Sequence, residues 1–457
     1  MNMDDPGRPS PPPLPFCQPG GEKPALLHKG EHPISRRNID PDVFKIISRL
    51  DAHGFTTYVV GGAVRDMMLG RTPVDFDIVT DARPGQIKKL FSNAYLIGRR
   101  FRLAHIHFRG GKYIEVATFR KVPPPVQEPE PMPVAVEQRA QEPAAAGTAP
   151  CPPEPPAFSD IYGTPREDAF RRDLTINALF FDVISSTVID YTGGLQDLRS
   201  GVVRVIGDPA ERFVEDPVRI WRTIRHAARL GFKIDGLTER MIPVFSHLVA
   251  KCPAARLYEE LNKDFESRTQ PVFEALRRHA ILRHVLGRMG EDYEADAALF
   301  SRVDRLFEIK DRTLASGLEL GADEVYALLF MPWVEGLVAR SKGDLAKVLK
   351  DAILDAHFQA SVPKALRADV IQVLMIVEQM FSALKTGRMR WALKRRAHFP
   401  QASRVCILAE KGRPPDPGES FEDLYRQAFP GGTGAAPRDG RRRRRRRRPK
   451  GAPPSNP

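Results

Sequence analysis

At residues 58–77 the chain reads YVVGGAVRDMMLGRTPVDFD. The apolar residues Tyr58–Val60 predict a strand that runs into a Gly-Gly turn. A short helix is predicted from about Ala63 to Gly70, because glycine commonly ends a helix. The residues that follow predict a second strand, which contains Asp75 and Asp77. The pattern is therefore strand, glycine turn, helix and acidic strand.

The acidic strand and the glycine turn suggest a phosphate and metal site. Side chains alternate across a strand, so Asp75 and Asp77 are expected on one face. Two close carboxylates repel unless a cation lies between them, and Mg²⁺ binds one or two carboxylates together with substrate phosphates. Gly61 and Gly62 let backbone N–H groups approach an anion at the helix start. A bare Asp-x-Asp would indicate only two solvated acids after a turn.

The bulk composition limits the class of protein. A chain of 457 residues is too long for one core, so two to four domains are expected. The formal net charge of +13 falls to +4 when the nine basic residues Arg441–Arg448 and Lys450 are left out, so the tail carries most of the basic character. Eight consecutive arginines bind polyanions. RNA is the expected target, with a solubility or membrane-surface role as the alternative.

The cysteines and the hydropathy pattern indicate a cytoplasmic protein. The chain has four cysteines without a Cys-x-x-Cys spacing, which excludes a zinc site and a disulfide framework and fits a reducing compartment. The first thirty residues have no apolar core of a signal peptide. No run approaches about 20 apolar residues, so no membrane span is expected.

A hairpin downstream supplies a further acid. Arg102–Phe108 and Tyr113–Phe119 predict two strands joined by a tight Arg-Gly-Gly-Lys turn. If the second strand neighbours the acidic strand, Glu115 becomes a third carboxylate at the metals; a solvated glutamate on a strand face is the alternative. His105 and His107 alternate with apolar residues and are interpreted as strand-face histidines, not ligands.

Two further motifs carry basic and acidic groups. At residues 171–179 the chain reads RRDLTINAL, in which two guanidinium groups can hold phosphate or ribose oxygens and Asp173 can orient an arginine or a sugar hydroxyl. An exposed Arg-Arg-Asp turn is the alternative. This motif follows residues 122–158, which are rich in Pro, Ala and Glu and are expected to be a disordered insertion.

At residues 215–231 the chain reads EDPVRIWRTIRHAARLG, which predicts a helix capped by Asp216 and ended by Gly231. Arg219 and Arg222 fall on one face. A carboxylate can accept from the exocyclic amine of a base, and a guanidinium can donate to a ring nitrogen. The alternatives are a pure N-cap for Asp216 and a solvated face for the arginines. From Pro253 to about Pro400 the periodicity predicts successive helices, including one over residues 272–284.

These motifs together resemble the polymerase β-like nucleotidyltransferase superfamily, in particular the class II branch of bacterial poly(A) polymerases and CCA-adding tRNA nucleotidyltransferases. The resemblance implies an α+β fold, with a head built on a small mixed or antiparallel sheet with helices and an all-α neck and body. It implies these divisions: a disordered N-terminus (1–25), a catalytic head (26–200), a neck with the base-reading helix (201–267), a helical RNA-binding body (268–410) and a disordered basic tail (411–457).

The resemblance also implies roles for individual residues. The expected ligands of two Mg²⁺ ions are Asp75, Asp77 and Glu115, and the catalytic set adds Asp173. The expected nucleotide-binding residues are Gly61, Gly62, Arg65, Arg172, Asn177, Asp216, Arg219 and Arg222. The expected RNA-binding residues of the tail are Arg441, Arg442, Arg443, Arg444, Arg445, Arg446, Arg447 and Arg448.

The implied activity is template-independent transfer of AMP from ATP to RNA 3′ ends by a monomeric enzyme, a tailing reaction that promotes RNA decay or processing. The lead-in at residues 26–39, the phrase Gly163-Thr164-Pro165 and the arginine tail favour poly(A) addition. A CCA-adding tRNA nucleotidyltransferase is the alternative, because adenine and cytosine both present an amine beside an acceptor. A catalytically idle RNA-binding protein and a mononucleotide-binding regulator are the alternatives from other classes.

Overall fold

The computed structural model describes residues 23–98, 103–121, 162–340, 345–355, 362–386 and 391–411. Residues 1–22, the predicted insertion at 122–158 and the arginine tail lie outside these ranges. Two compact units are present. The first comprises Met1–Arg212 with Gly231–Glu239, and the second comprises Phe213–Leu230 with Arg240–Pro457.

Within the described ranges, the strands all lie in the first unit. They are β1 (Ala25–Leu27), β2 (Thr57–Val60), β3 (Asp77–Thr80), β4 (Ala94–Ile97), β5 (Leu103–His107), β6 (Tyr113–Thr118), β7 (Leu179–Asp182), β8 (Thr187–Asp190), β9 (Val202–Val203) and β10 (Lys233–Ile234). β9 and β10 form a small parallel pair.

Helices occur in both units. They are α1 (Pro41–Asp51), α2 (Gly62–Met68), α3 (Pro84–Leu90), α4 (Pro165–Arg171), α5 (Gly194–Ser200), α6 (Pro209–Glu215), α7 (Val218–Leu230), α8 (Gly236–Phe245), α9 (Ala254–Phe265), α10 (Gln270–Arg278), α11 (Leu282–Leu286), α12 (Arg288–Ala295), α13 (Ala297–Ala315), α14 (Ala322–Arg340), α15 (Leu345–Asp355), α16 (Lys364–Thr386), α17 (Trp391–Lys394) and α18 (Phe399–Lys411).

Eight strands form one mixed sheet in the order β1-β8-β7-β2-β3-β6-β5-β4. Every neighbouring pair is antiparallel except β3 and β6, which run parallel. The predicted hairpin of β5 and β6 is confirmed. The sheet with its helices, and the helical second unit, confirm the predicted α+β class.

The central strands pack into a buried cluster beside the acidic strand. Val60, Val79, Phe119 and Phe180 are each at most 2% exposed and contact one another with Ile189. Burying side chains of this size stabilises the fold by about 1.5–3 kcal/mol each. This packing fixes the ends of β2 and β3, and the side chain of Asp77 projects from the start of β3.

The acidic strand is shorter than predicted. β3 begins at Asp77, so Asp75 precedes the strand instead of sharing its face. The reason is the partner strand: Val60, the last residue of β2, pairs with Asp77, and the chain then turns at Gly61 into α2. β2 therefore offers Asp75 no partner, and the pairing of β3 with β6 also begins at Asp77.

The prediction of a single helix over residues 272–284 was wrong in the length of that helix. Two helices, α10 and α11, occupy the region, and Ala280 between them has φ 53°. The N–H of Ile281 donates to the carbonyl of Leu276 at 2.9 Å, which is the bond that closes a Schellman helix end. Among the described residues, no helix is long and apolar enough to cross a membrane.

Candidate active site

The turn at Gly61 brings three polar groups of the first unit to one point. Gly61 has φ 78° and ψ −138°, a conformation that residues with a side chain rarely adopt. A Cβ atom built there would lie 3.8 Å from Arg172 Nη1, from the carbonyl oxygen of Asn177 and from Asp77 Oδ2. Glycine therefore keeps the position between a guanidinium and a carboxylate free of a side chain.

Asp77 and Glu115 lie side by side on neighbouring strands. They are register partners in the parallel β3–β6 pair, so their side chains project from one face about 4.8 Å apart at the backbone. The adjacency of these strands confirms the condition on which the prediction for Glu115 depended. Glu115 Oε1 also lies 3.2 Å from His105 Nε2 on β5.

Arg65 lies beside the glycine turn but points into the protein. It is 9% exposed, and its Nη1 donates to Asn177 Oδ1 at 2.7 Å while its Nε donates to Asp66 Oδ1 at 2.9 Å. A Cβ built at Gly62 would lie 3.5 Å from Arg65 Nη2. Arg65 and Asn177 thus tie α2 to the segment between α4 and β7.

Asp168 fixes the two arginines of the RRD motif. Its carboxylate is fully buried and accepts from Arg172 Nη2 at 2.8 Å and from Arg171 Nε at 2.8 Å. Burial alone would raise the pKa of Asp168, but the charges of Arg172 and Arg171 outweigh burial and hold this pKa below its usual range. Arg212 donates to the carbonyls of Arg171 and Arg172, both at 2.8 Å.

No role was predicted for Asp168, although the sequence contains a signal. An acid three and four residues before two consecutive arginines faces both of them on a helix. The Asp173 carboxylate, for which a catalytic role was predicted, accepts from the N–H of Leu174 at 2.9 Å.

Replacing Asp168 by asparagine should lower the free energy of unfolding by about 2 kcal/mol, because a neutral amide cannot accept equally well from two partly buried guanidinium groups. The contribution of Asp168 is present above its unfolded pKa of about 3.9 and is lost as the pH falls through its lower folded pKa. The difference between parent and variant should therefore shrink on acidification. Urea titrations over a pH series test this, with exposed Asp51→Asn as the control.

The second unit contains the residues predicted to read the base. Asp216 precedes α7 and accepts from both Nη atoms of Arg256 on α9, at 2.8 and 2.7 Å. Arg219 is 8% exposed and donates to Glu215 Oε2 at 2.6 Å. Arg222 lies 3.8 Å from Glu260 of α9. The bounds of α7 confirm the predicted helix, whereas Arg256 had no local sequence signal.

A network of ion pairs and hydrogen bonds holds α7 against α9. Arg225 is 2% exposed at its side chain and pairs with both Glu260 and Asp264, and Trp221 Nε1 donates to Asp264 Oδ2 at 2.7 Å. Burial raises the pKa of Asp264. The charges of Arg225 and Arg222 outweigh burial at Glu260 and lower its pKa. Sequence patterning placed Arg225 on no functional face, yet it fixes the helix that carries Arg219 and directly follows Asp216.

Comparison with known proteins decides the family. Residues 57–204 match the family described as "Poly A polymerase head domain", and residues 231–289 match "Probable RNA and SrmB- binding site of polymerase A". Poly(A) polymerase I of Salmonella typhi is 32% identical over 388 residues, which cover 82% of this chain and 80% of that protein. The chain belongs to the class II nucleotidyltransferase family of poly(A) polymerases and CCA-adding enzymes.

Other members of this nucleotidyltransferase family share parts of the chain. The CCA-adding enzyme of Bacillus pumilus is 34% identical over 223 residues, covering 49% of each chain. The CCA-adding enzyme of Bacillus stearothermophilus, solved in complex with CTP, has a TM-score of 0.58 at 22% identity and covers 86% of this chain and 83% of that chain. The protein is therefore a nucleotidyltransferase that acts on RNA 3′ ends.

The carboxylates of this nucleotidyltransferase suit a cation that shares its ligands with a substrate. Within the described parts of the chain, no group of three or more His, Cys, Asp or Glu is placed to hold a metal ion. Mg²⁺ commonly binds one or two carboxylates and takes its remaining ligands from water and phosphates. Asp77 with its neighbour Glu115, beside the Gly61 turn, fits that mode.

Proposed function

We propose that the enzyme adds AMP from ATP to RNA 3′-hydroxyls without a template, as a poly(A) polymerase. This proposal rests on the share of the chain that the sequence similarity covers. Sequence similarity to Poly(A) polymerase I of Salmonella typhi covers 82% of the chain, whereas sequence similarity to the CCA-adding enzyme of Bacillus pumilus covers 49%. The poly(A) match therefore includes much of the helical second unit, where the contacts that determine the RNA substrate are expected.

In the proposed reaction the RNA 3′-oxygen attacks the α-phosphorus of ATP, and pyrophosphate leaves. Asp75, Asp77 and Glu115 would hold two Mg²⁺ ions, which would supply a lower pKa for the 3′-hydroxyl and positive charge beside the leaving group. Arg172, oriented by Asp168, directs a guanidinium toward the Gly61 turn and can hold a phosphate or ribose oxygen. Arg172 and Asp173 are assigned to the sugar region, and Asn177 is assigned to nucleotide binding.

Asp216, Arg219 and Arg222 are assigned to the base. Asp216 and Arg219 each have an ionic partner on the protein, namely Arg256 and Glu215. A bound adenine would compete with these pairs: its exocyclic amine donates to a carboxylate, and its ring nitrogen accepts from a guanidinium.

Asp216→Ala should weaken base selectivity more than overall folding. Losing one base-edge hydrogen-bonding group costs about 1–3 kcal/mol of discrimination, so the ratio of kcat/KM for ATP to that for GTP should fall about tenfold. Competition between ATP and GTP on one RNA measures this ratio. Arg256→Ala is the matched control, since it removes the partner and leaves the carboxylate. If Asp216→Ala leaves the ratio of kcat/KM for ATP to that for GTP unchanged, Asp216 does not read the base.

An extension assay tests the proposed function against the CCA alternative, which the similarity to the CCA-adding enzyme of Bacillus pumilus favours. The protein is given a single-stranded oligoribonucleotide, or a tRNA that ends just before CCA, with Mg²⁺ and ATP or CTP. A long ladder with ATP on the oligonucleotide and little product with CTP supports poly(A) addition. Two CTP additions followed by one ATP addition on the tRNA would identify a CCA-adding enzyme.

A further inference from the structure

One face of the sheet carries a group of four rings, two of them on exposed tyrosines, next to the proposed metal carboxylates. The rings belong to Tyr95 on β4, His105 and His107 on β5, and Tyr113 on β6; we call this group the ring face. Tyr95 is 60% exposed and Tyr113 is 50% exposed. Large aromatic side chains left this open on a sheet face are characteristic of a binding surface.

The rings contact one another as a continuous surface. His105 stacks on Tyr113 with centroids 4.6 Å apart and planes within 7°. His107 lies edge-on to Tyr95 at 5.0 Å and is tilted against Tyr113 at 5.7 Å. These contacts orient the tyrosine rings. His105 covers one face of Tyr113, and flat groups can stack on the parts of Tyr95 and Tyr113 that stay exposed.

The strand register connects the ring face to the proposed catalytic carboxylates. Asp77 pairs with Glu115, Glu115 pairs with His105, and His105 pairs with Tyr95. These four residues form one row across β3, β6, β5 and β4, and about 14 Å separates its ends at the usual strand spacing. A few nucleotides of single strand span such a distance.

The charge near the ring face suits a polyanion. Lys88 Nζ lies 5.4 Å from the ring centroid of Tyr95 and is held there by the carbonyl oxygen of Ala94 at 2.6 Å. An aromatic platform with a cation beside it suits the binding of single-stranded nucleic acid without sequence preference, because every base has a π-face.

We propose, building on the RNA 3′-end activity proposed above, that the ring face stacks the bases of the RNA strand just upstream of its 3′ end. Tyr95 and Tyr113 supply the stacking planes, and the row to Asp77 directs the strand toward the site of nucleotide addition. Because stacking reads no base edge, the surface accepts any 3′-terminal sequence and keeps hold of a growing homopolymer.

Tyr95→Ala and Tyr113→Ala test the surface directly. A short oligoadenylate carries 2-aminopurine a few nucleotides from its 3′ end, and its fluorescence is titrated with the full chain without ATP. The parent should quench the 2-aminopurine emission, since stacking quenches this base. Each alanine variant should raise the Kd for RNA about tenfold, and the double variant should lose the quench, because stacking contributes about 1–3 kcal/mol per base.

Ring-keeping variants and an unrelated exposed residue provide the controls. Tyr95→Phe and Tyr113→Phe should quench like the parent, since they retain the ring. Ile184→Ala, at a side chain 49% exposed between β7 and β8, should leave Kd and quench unchanged. Thermal unfolding of every variant checks that each one is folded.

The outcomes separate this proposal from the proposed function. If the double alanine variant is folded and quenches like the parent, the ring face does not bind RNA, and a protein partner becomes the better occupant. If the parent quenches and the double variant does not, the ring face binds RNA even when the parent fails to extend it with ATP. That result would refute the proposed function and still support RNA binding at the ring face.

Discussion

Asp77→Asn should lower kcat for AMP addition by about 10³-fold or more, with little loss of stability. The amide has the shape of the carboxylate but lacks its charge, so it cannot balance a divalent cation beside the triphosphate. Asp77 is exposed at the start of β3, and its Oδ2 lies near the Gly61 turn. Single-turnover incorporation with saturating ATP and RNA measures the effect.

A matched control separates the metal role from general charge effects. Asp81→Asn removes an exposed carboxylate just after the same strand and should leave kcat within about twofold of the parent. Binding of Mg²⁺ in the presence of a non-hydrolysable ATP analogue, followed by calorimetry, gives a readout that does not depend on turnover. If Asp77→Asn keeps near-normal incorporation at saturating Mg²⁺, the metal assignment is wrong.

Local sequence features predicted the elements around the Gly61 turn well. The apolar Tyr58–Val60 strand, the helix after Gly-Gly and the β5–β6 hairpin are all confirmed. Each follows from short-range signals, namely runs of apolar residues and glycines at turns. The place where prediction failed in this region, Asp75, depends on where a partner strand ends, and that is not a local property.

The split between α10 and α11 shows a second limit. A Schellman helix end usually has glycine in the left-handed position, and here the position is taken by Ala280 with φ 53°. Alanine favours helix, so the sequence predicts continuation. The end is imposed by packing of buried Ile281 and Leu282, which propensity does not encode.

Contacts between residues that are distant in sequence could not be predicted from local motifs. The motif in α7 predicted that Asp216 and Arg219 face a base, and it could not show that Arg256, forty residues later, binds Asp216. By contrast, Asp168 could have been found, since it lies on the same helix as Arg171 and one turn before Arg172. The roles of these residues in catalysis remain predictions that the proposed variants test.

Arg225→Met should lower the free energy of unfolding of the helical unit by about 3–5 kcal/mol, the usual cost of removing one partner from a buried ionic network. Methionine fills much of the same volume but leaves Glu260 and Asp264, both buried, without their main cation. Arg278→Met is the control: Arg278 is 66% exposed, pairs with Glu274 at 3.8 Å, and should change stability by less than about 0.5 kcal/mol.

Tryptophan fluorescence during urea titration reports on this unit, because all three tryptophans of the chain, at positions 221, 333 and 391, belong to it. The pH dependence gives a second check. In the parent, the Glu260 contribution is present above its unfolded pKa of about 4.3 and is lost as the pH falls through its lowered folded pKa. In the variant, low pH protonates the unpaired carboxylates and removes the cost of burying their charge. The difference in free energy of unfolding between parent and variant should therefore narrow toward low pH.

The same substitution should also affect nucleotide selection. Arg225 joins α7 to Glu260 and Asp264 of α9, and α9 carries the Arg256 that binds Asp216. If the buried network positions the reading groups, Arg225→Met should raise KM for ATP at a temperature where the protein stays folded, while the affinity for RNA on the ring face is unchanged. A variant that is destabilised but keeps the parent's KM for ATP would show that the network stabilises the unit without orienting the base-reading residues.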